Sequence, residues 1–357
     1  MKKNALTKIA CLFLLIILGS CSAGKLSKKN KSGIIIYPPP PDTARIQFLT
    51  RISSAADISG SRNWFVNFLL GKETGMPILK PYGIAVQKGK IFVCDKGLAG
   101  LEIIDLEKRS FDYFIPSGNG KLSMPLGCYA DTSGLLYVAD AGRLQIVVFD
   151  RDGNYVKSIG DTADFKPTDV FVYDRKIWVS NMAGHKIDVY STDPPYILLN
   201  SFTQSEPGKI DYLYSPVNIF VNNEKVFVTD FGDFKIKMFS HDGKFLDTLG
   251  TYGINMGQLA KPKGTATDRE SNVFVADAAF ENVQIFNKEG KLLMFFGGPY
   301  KGPGDMWLPV EVVIDYDNMS YFQKYVATGF ELKYLIFVSN QFGPDKITVY
   351  GRIVPVK

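Results

Sequence analysis

The chain has 357 residues, of which 46% are hydrophobic and 22% charged, an ordinary composition for a globular protein whose length alone would allow two domains. Its formal net charge is +5, but three of its 41 basic residues lie in an N-terminal segment that we expect to be removed, which leaves 38 − 36 = +2. So small a charge excludes the basic footprint of a nucleic-acid-binding protein, and we expect no nucleic-acid partner.

Residues 1–20 have the pattern of a signal peptide. Three lysines give a basic start, and the apolar run CLFLLIIL at 11–18 is too short to span a membrane as a helix. The segment runs into LGSC, which resembles the bacterial lipobox and implies that Cys21 becomes a lipidated N-terminus. We therefore expect an exported, membrane-anchored bacterial lipoprotein, on the periplasmic or the cell-surface face. An ordinary secretory signal with an incidental cysteine is the alternative.

Residues 21–44 are predicted to be a tether with a proline-rich arm. The lysines between 25 and 31, set among Ser, Gly and Asn, indicate a flexible, solvated segment, with contact to anionic headgroups as the alternative. The run Pro38 to Pro41 predicts a stiff polyproline II arm.

A four-strand pattern then recurs along the rest of the chain. Its clearest copy, Pro216 to Gly250, has four short apolar segments separated by turn residues. The connections are too short for crossover helices, so the strands must pair as an antiparallel meander. Copies begin 42 to 49 residues apart near Pro81, Pro125, Pro167, Pro216, Pro262 and Pro309. This period is typical of propeller blades, and we predict one monomeric all-β domain over residues 45–357, a six-bladed β-propeller.

The two ends of this domain are expected to meet. The last repeat ends at its third strand, DKITVYGRI, whereas the segment Arg45 to Ile52 reads as a strand without a blade. We predict that this strand completes blade 6 and closes the ring. A short amphipathic helix is predicted at 63–73, packed on the end of the propeller or contacting a membrane or partner. An insertion at 315–334 lengthens blade 6, and such insertions are often functional.

The repeats resemble a known family. The second strands read IFVCD, LYVAD, VFVTD and VFVAD, two third strands read RLQIVVF and NVQIF, and D/E-G turns follow. Together these motifs resemble NHL repeats from about Arg45 to the end of the chain. The resemblance implies a binding platform in most cases and a lyase or hydrolase in a minority. The YPPPP arm and the YFQKY insertion also resemble lipid-anchored propellers encoded near bacterial c-type cytochromes, which would imply an accessory of an electron-transfer complex.

Catalytic motifs are sparse. The two histidines, His185 and His241, fall at different places in their blades, which argues against a shared zinc site. No G-x-S-x-G, CxxC, P-loop or haem-attachment pattern is present. We therefore expect a non-catalytic binding or scaffolding module at the cell envelope, without a cofactor. Its partner would be an envelope protein or peptide, or a glycan.

Aromatic residues outside the repeat pattern are the candidate contacts for such a partner. The alternative is that they only cover the ends of the barrel. The candidates are Tyr212, Tyr214, Tyr300, Trp307, Tyr321 and Tyr325.

A second candidate function is indicated by the residues that stand two positions after each leading proline. These residues are expected on the innermost strands, near one mouth of the central channel. Three blades have glycine there, but blades 3, 4 and 6 have Asp169, Asn218 and Glu311, an all-oxygen set of the kind that calcium takes. The set is similar in kind to the metal site of gluconolactonase-type and paraoxonase-type propellers, although their local motifs are not matched. The alternatives are a calcium-dependent hydrolase or lactonase, and polar residues that line a wet channel.

Two further sets are predicted to be structural. The second strands end in Asp95, Asp140, Asn181, Asp230, Asp277 and Asn340. Because the residue recurs in every blade, we expect it to accept hydrogen bonds from backbone amides where the strand enters its turn. Cys94 and Cys128 fall in adjacent blades, and the sequence leaves open whether they form a disulfide or remain two buried thiols.

Overall fold

The computed structural model describes residues 33–59, 75–160, 164–203 and 205–356. The predicted signal peptide, Cys21, the lysine-containing tether and the predicted helix at 63–73 lie outside the described residues. The chain divides into two compact units, Met1–Ile35 and Ile36–Lys357. Only residues 33–35 of the first unit are described, and the second unit holds the blades. No helix among the described residues is long and apolar enough to cross a membrane.

The chain forms six antiparallel sheets, five of which are made of four strands that are neighbours in sequence, whereas the sixth combines strands from the two ends of the described chain. Before blade 1 come strands β1 (Ile35–Tyr37) and β2 (Ile46–Ile52) and helix α1 (Ala55–Ser59). Blade 1 has strands β3 (Pro81–Gln87), β4 (Lys90–Asp95), β5 (Gly100–Asp105) and β6 (Ser110–Phe114). After a 3-10 turn at Gly118–Gly120, blade 2 has strands β7 (Pro125–Ala130), β8 (Leu136–Asp140), β9 (Gln145–Phe149) and β10 (Tyr155–Ile159).

The later blades follow the same plan. Blade 3 has strands β11 (Pro167–Tyr173), β12 (Lys176–Asn181), β13 (Lys186–Ser191) and β14 (Leu198–Phe202). Blade 4 has strands β15 (Pro216–Val221), β16 (Val226–Asp230), β17 (Lys235–Phe239) and β18 (Phe245–Leu249). Blade 5 has strands β19 (Pro262–Thr267), β20 (Val273–Asp277), β21 (Asn282–Phe286) and β22 (Leu292–Gly297). Blade 6 has strands β23 (Pro309–Asp315), β24 (Phe330–Asn340) and β25 (Ile347–Pro355).

Every blade begins at its predicted proline, so the six-bladed β-propeller is confirmed. The hydrophobic core lies between neighbouring blades. Tyr137 and Ile146 of blade 2, for example, pack in one cluster with Val170 and Ile177 of blade 3. A four-stranded sheet cannot bury both apolar faces alone, so stacking around a ring is what stabilises each blade.

The closing strand is also confirmed. Strand β2 pairs antiparallel with β25, from Ile46 opposite Arg352 to Ile52 opposite Ile347. Ile46 and Ile52 are fully buried in this position. The sheet order is β1-β2-β25-β24-β23, so blade 6 has a fifth strand that was not predicted.

The proline-rich run differs from the predicted arm. It does not continue as an extended arm. Pro40 and Pro41 lie in a turn, and Arg45 N donates a hydrogen bond to Tyr37 O at 2.9 Å. The segment therefore returns the chain on itself between β1 and β2.

The insertion of blade 6 fastens blade 6 to blade 1. It contains helix α2 (Met319–Phe322) and a 3-10 turn at Gln323–Tyr325, and its last residues extend strand β24. The fully buried Asn318 accepts a hydrogen bond from Gly89 N at 2.7 Å and donates one to Gln87 O at 2.9 Å. These contacts give the insertion a structural role in closing the ring.

The ring has two faces that the strand directions define. In blade 4, residues 231–234 and 250–261 lie on the side where the innermost strand begins, and we call this side of the ring the mouth face. The turns at 222–225 and 240–244 lie on the other side, the opposite face. The same holds in each blade, so the insertion between β23 and β24 belongs to the opposite face.

The recurring Asp or Asn at the end of each second strand has the structural role that we expected. Asp140, which is completely buried, accepts hydrogen bonds from the backbone amides of Ser123, Met124, Gly142 and Arg143. The first two amides belong to the incoming connection and the last two to the following turn. Each such side chain therefore ties two loops of the mouth face together.

The two cysteines remain free thiols and are both buried. Burial raises the pKa of the Cys94 thiol, and the adjoining Cys128 thiol raises it further. The thiols of neighbouring blades thus meet without forming a disulfide in this structure.

Candidate functional site

A small cavity lies where the six innermost strands begin. Each of these strands has a register shift within its first four residues, and such a bulge re-aims side chains. The residue that follows the leading proline reaches the cavity in all six blades. The cavity is lined by Tyr82, Leu126, Thr168, Val217, Lys263 and Val310 at that position, and by Asp169, Asn218, Gly264 and Glu311 one residue further. Its volume of about 10 Å³ suits a single water molecule.

The three polar residues singled out in the sequence meet in this cavity. Asn218 Nδ2 donates hydrogen bonds to Asp169 Oδ2 at 2.7 Å and to the two carboxyl oxygens of Glu311 at 3.2 and 3.1 Å. Asp169 and Asn218 are buried, and Glu311 is half-buried. One amide group therefore joins two carboxyl groups from blades that are not neighbours.

Backbone amides hold the cluster in this arrangement. Thr265 N donates to Asn218 Oδ1 at 2.9 Å, so the amide oxygen faces the backbone and its NH2 faces the carboxyls. Ile219 N donates to Asp169 Oδ2 at 3.0 Å, and Val312 N donates to Glu311 Oε1 at 3.2 Å. The reverse orientation of Asn218 would set two donors against each other.

The glycines of the neighbouring blades make room for the carboxyls. A Cβ atom on Gly127 would lie 2.8 Å from the Asp169 Cα atom, and one on Gly264 would lie 2.7 Å from Glu311 Oε1. Both distances are too short for a real side chain. The glycines and the carboxyls are therefore complementary parts of one packed ring.

Burial makes both carboxyl groups hold protons more tightly than usual. Desolvation raises the pKa of Asp169 to about 7, against the effect of its hydrogen bonds. Desolvation, and then the charge of Asp169, raise the pKa of Glu311 well above its ordinary value. Both carboxyl groups therefore keep their protons to higher pH than ordinary carboxyl groups do, and the pKa of Asp169 lies near neutral pH.

This arrangement does not suit calcium. Calcium takes six to eight oxygen ligands, but Asn218 presents two N–H donors to the carboxyls instead of an oxygen. Among the residues that the structure describes, no group of three or more His, Cys, Asp or Glu side chains is placed to hold a metal ion. The predicted ligands come together as a hydrogen-bonded cluster, whose two carboxyl groups can take up and release protons.

Sequence reasoning missed Lys263 at the rim of the cavity. Burial, and then the charges of Lys96 and Lys261, lower the pKa of Lys263 to about 8. Its ammonium group lies 4.1 Å from the ring centroid of Phe231. The signal that could have found it is the position directly after the leading proline, which faces the channel in every blade.

The two histidines are used in packing. His185 stacks on Tyr212 with ring centroids 5.3 Å apart, and its Nδ1 lies 2.9 Å from Leu213 O. His241 lies in the turn of the opposite face, where its Nε2 is 2.8 Å from Asn222 O. Neither residue lines the cavity.

The predicted aromatic contacts are divided between the two faces. Tyr212, Tyr214, Tyr300 and Trp307 lie on the mouth face, where Tyr214 and Trp307 are exposed. Tyr321 and Tyr325 lie in the insertion, on the opposite face. The six residues cannot form a single contact surface.

Comparisons with known proteins agree on the fold. No protein-family model matches the chain. The brain tumor protein of Drosophila melanogaster is 32% identical over 65 residues, a match that spans 18% of this chain and 6% of the fly protein.

Two solved structures of enzymes are similar to most of the chain. A gluconolactonase from Xanthomonas campestris has 14% identity and a TM-score of 0.55, over 89% of this chain and 91% of that one. A streptogramin B lyase has 14% identity and a TM-score of 0.53, over 79% of this chain and 85% of that one. At this identity the likeness is one of fold, so the chain is a β-propeller of a shape that lyase and lactonase enzymes also adopt.

Proposed function

We propose that this protein hydrolyses lactone or ester bonds by acid–base catalysis at the channel mouth, without a bound calcium ion. The observation that carries the proposal is the pair of carboxyl groups with different proton affinity beside a water-sized cavity. Active sites are where burial and like charges displace pKa values in this way. The shared fold with a gluconolactonase supports a hydrolytic activity without assigning a substrate.

The roles of the residues follow from their protonation. A water in the cavity attacks the carbonyl carbon of the substrate while ionised Asp169 removes the water proton. The carbon–oxygen bond to the leaving group breaks as Glu311 transfers its proton to the departing oxygen. Lys263 at the rim faces the position of the negative charge on the tetrahedral intermediate. Proton exchange with solvent then restores ionised Asp169 and protonated Glu311.

The test is a set of variants assayed on aliphatic lactones and aryl esters in buffer with a chelator. Glu311→Gln keeps the shape of the protonated acid but cannot donate its proton to the leaving group, so kcat should fall at least about 100-fold. Asp169→Asn removes the base and should lower kcat by a similar factor. Lys244→Met, in a turn of the opposite face, is the control and should retain full activity. Hydrolysis that survives Glu311→Gln would overturn the proposal.

A second candidate is the binding module that the sequence indicates. The observation in its favour is that exposed apolar side chains gather on the mouth face; Tyr252 is 65% and Ile254 83% exposed. A peptide or an envelope protein that lies across this face would use them. If so, Trp307→Ala and Tyr252→Ala should weaken capture of one defined partner from envelope extract, whereas Tyr325→Ala on the opposite face should not.

Export and anchorage through Cys21 belong to the same proposal. The LGSC tetrad supports a lipidated cysteine that tethers the propeller to a bacterial membrane. Mass spectrometry of the N-terminal peptide should find acyl chains on Cys21, and Cys21→Ser should release the protein from membranes. An unmodified N-terminus at another residue would refute the anchor.

A further inference from the structure

Five lysines surround the channel mouth. Lys80 and Lys261 directly precede the leading prolines of blades 1 and 5, Lys263 follows the second of these prolines, Lys96 follows strand β4, and Lys346 precedes strand β25. All five positions belong to the mouth face. Their charges act on one another: burial and then Lys80 lower the pKa of Lys96, and burial and Lys80 lower that of Lys346, in both cases against the charge of Asp95.

None of these five lysines forms an ion pair with a described carboxylate. By contrast, Lys237 of strand β17 is paired, since its ammonium group lies 3.0 Å from Asp230 and 2.9 Å from Asp233. Bringing like charges together and partly out of water is unfavourable unless an anion compensates them. These five lysines therefore have little negative charge beside them apart from that of Asp95, which acts on Lys96 and Lys346.

Two of the lysines lie close over aromatic rings at the rim, and the Lys80 ammonium lies 5.7 Å from the ring centroid of Phe342. The Lys96 ammonium lies 4.5 Å from the ring centroid of Tyr82, and that of Lys263 lies 4.1 Å from the centroid of Phe231. Tyr82 and Lys263 both line the cavity. The rings hold the two ammonium groups in place and offer an apolar surface beside them.

We propose that the channel mouth takes a small organic anion, whose carboxylate or phosphate lies between Lys96 and Lys263 and whose carbon skeleton lies on Tyr82. The inference rests on the proposed function, because it names the substrate class of the same site. A hydrolysable bond held just inside the anionic group would then lie over Asp169 and Glu311. A small ligand is favoured over a polyanion because only Lys263 of the five lysines lines the cavity.

The test is calorimetric titration at low salt with succinate and with inorganic phosphate as separate probes. The wild-type protein should bind at least one of them, and Lys263→Met and Lys96→Met should each weaken binding at least tenfold. Lys244→Met, which removes one lysine from the opposite face, should bind like wild type. Tighter binding by succinate would identify the anion as a carboxylate, and tighter binding by phosphate as a phosphate ester.

Two further measurements separate this inference from its alternatives. Glu311→Gln should bind the probe normally although it does not hydrolyse substrate, so a failure of catalysis leaves the anion site standing. At pH 8, binding should take up protons, because an anion favours the charged form of Lys263, which faces Lys96 and Lys261. Three results would overturn the proposal. They are Met variants that bind the probe as tightly as wild type, a wild-type protein that binds neither probe, and polyglutamate or an oligonucleotide that binds more tightly than either probe.

Discussion

Replacing Glu311 by Gln should change how the stability of the protein depends on pH. Glu311 and Asp169 both have pKa values above those of an unfolded chain, because the folded cluster is buried. A carboxyl group of this kind costs no stability below its unfolded pKa. As pH rises above that value, the unfolded chain loses the proton and the folded protein keeps it, so stability falls until the folded pKa is reached.

The magnitude follows from the number of protons retained. Each carboxyl group that stays protonated only in the folded protein lowers the unfolding free energy by about 1.4 kcal/mol per pH unit. Two such groups act in the wild-type protein between about pH 5 and the pKa of Asp169, which is about 7. Glu311→Gln leaves one. The variant should therefore lose about 3 kcal/mol less than wild type over two pH units.

The assay is urea unfolding of both proteins at pH 5, 6 and 7, with Glu289→Gln as the matched control. Glu289 is an exposed residue in a turn of blade 5, on the opposite face. Its substitution should leave the slope unchanged. Parallel curves for wild type and Glu311→Gln would show that Glu311 is ionised in the folded protein, and would refute the protonation on which the site depends.

Three further predictions use other parts of the molecule. Asn218→Asp replaces the amide between the carboxyls by a third carboxyl, which should cost at least about 2 kcal/mol at pH 8; stabilisation of this variant by added calcium would contradict the cluster described here. Glu102 is buried beside Asp95, and burial, then the charge of Asp95 and a hydrogen bond with it, raise the pKa of Glu102 to about 10. Glu102→Val, which copies Val147 at the same place in blade 2, should stabilise by about 3 kcal/mol at pH 7 and by less at pH 4; an unchanged difference between the two pH values would disagree. Deletion through Ile52 removes strand β2 and should abolish cooperative thermal unfolding, whereas deletion through residue 32 should keep the melting temperature; a cooperative transition in the longer deletion would refute strand closure.

Much of the fold could be predicted because the repeat is punctuated by proline. A proline has no backbone N–H to donate and is suited to the first position of a strand. Each innermost strand accordingly begins at a proline, as Pro216 shows. Counting two residues from each proline therefore identified positions on the correct face of the ring. Strand β2 could be assigned to blade 6 because the last repeat lacked a fourth strand. The turn at Pro38–Pro41 could not be predicted from the sequence, because it depends on pairing between β1 and β2.

The composition of the site was predictable, but its chemistry was not. Position in the repeat identified Asp169, Asn218 and Glu311. The orientation of Asn218 is set by Thr265 N of the next blade, a contact that leaves no trace in the sequence. That contact turns an apparent oxygen ligand into a donor. Lys263 was missed because the bulge of each inner strand directs two consecutive residues, and not alternate ones, toward the channel.

The division of the aromatics had a similar cause. Tyr321 and Trp307 are close in sequence, but strand β23, which lies between them, runs from the mouth face to the opposite face. Strand direction, rather than distance along the chain, decides which residues share a surface. Loops therefore have to be assigned to a face before they are combined into one site.

The most direct test of the proposed chemistry is the pH dependence of hydrolysis by the wild-type protein in the presence of a chelator. If Asp169 is the base and Glu311 the acid, kcat/KM for a lactone or ester that carries an anionic group should rise through about pH 7 as Asp169 ionises and fall at higher pH as Glu311 loses its proton. Hydrolysis that appears only when calcium is added, or no hydrolysis of any such substrate, would contradict the account.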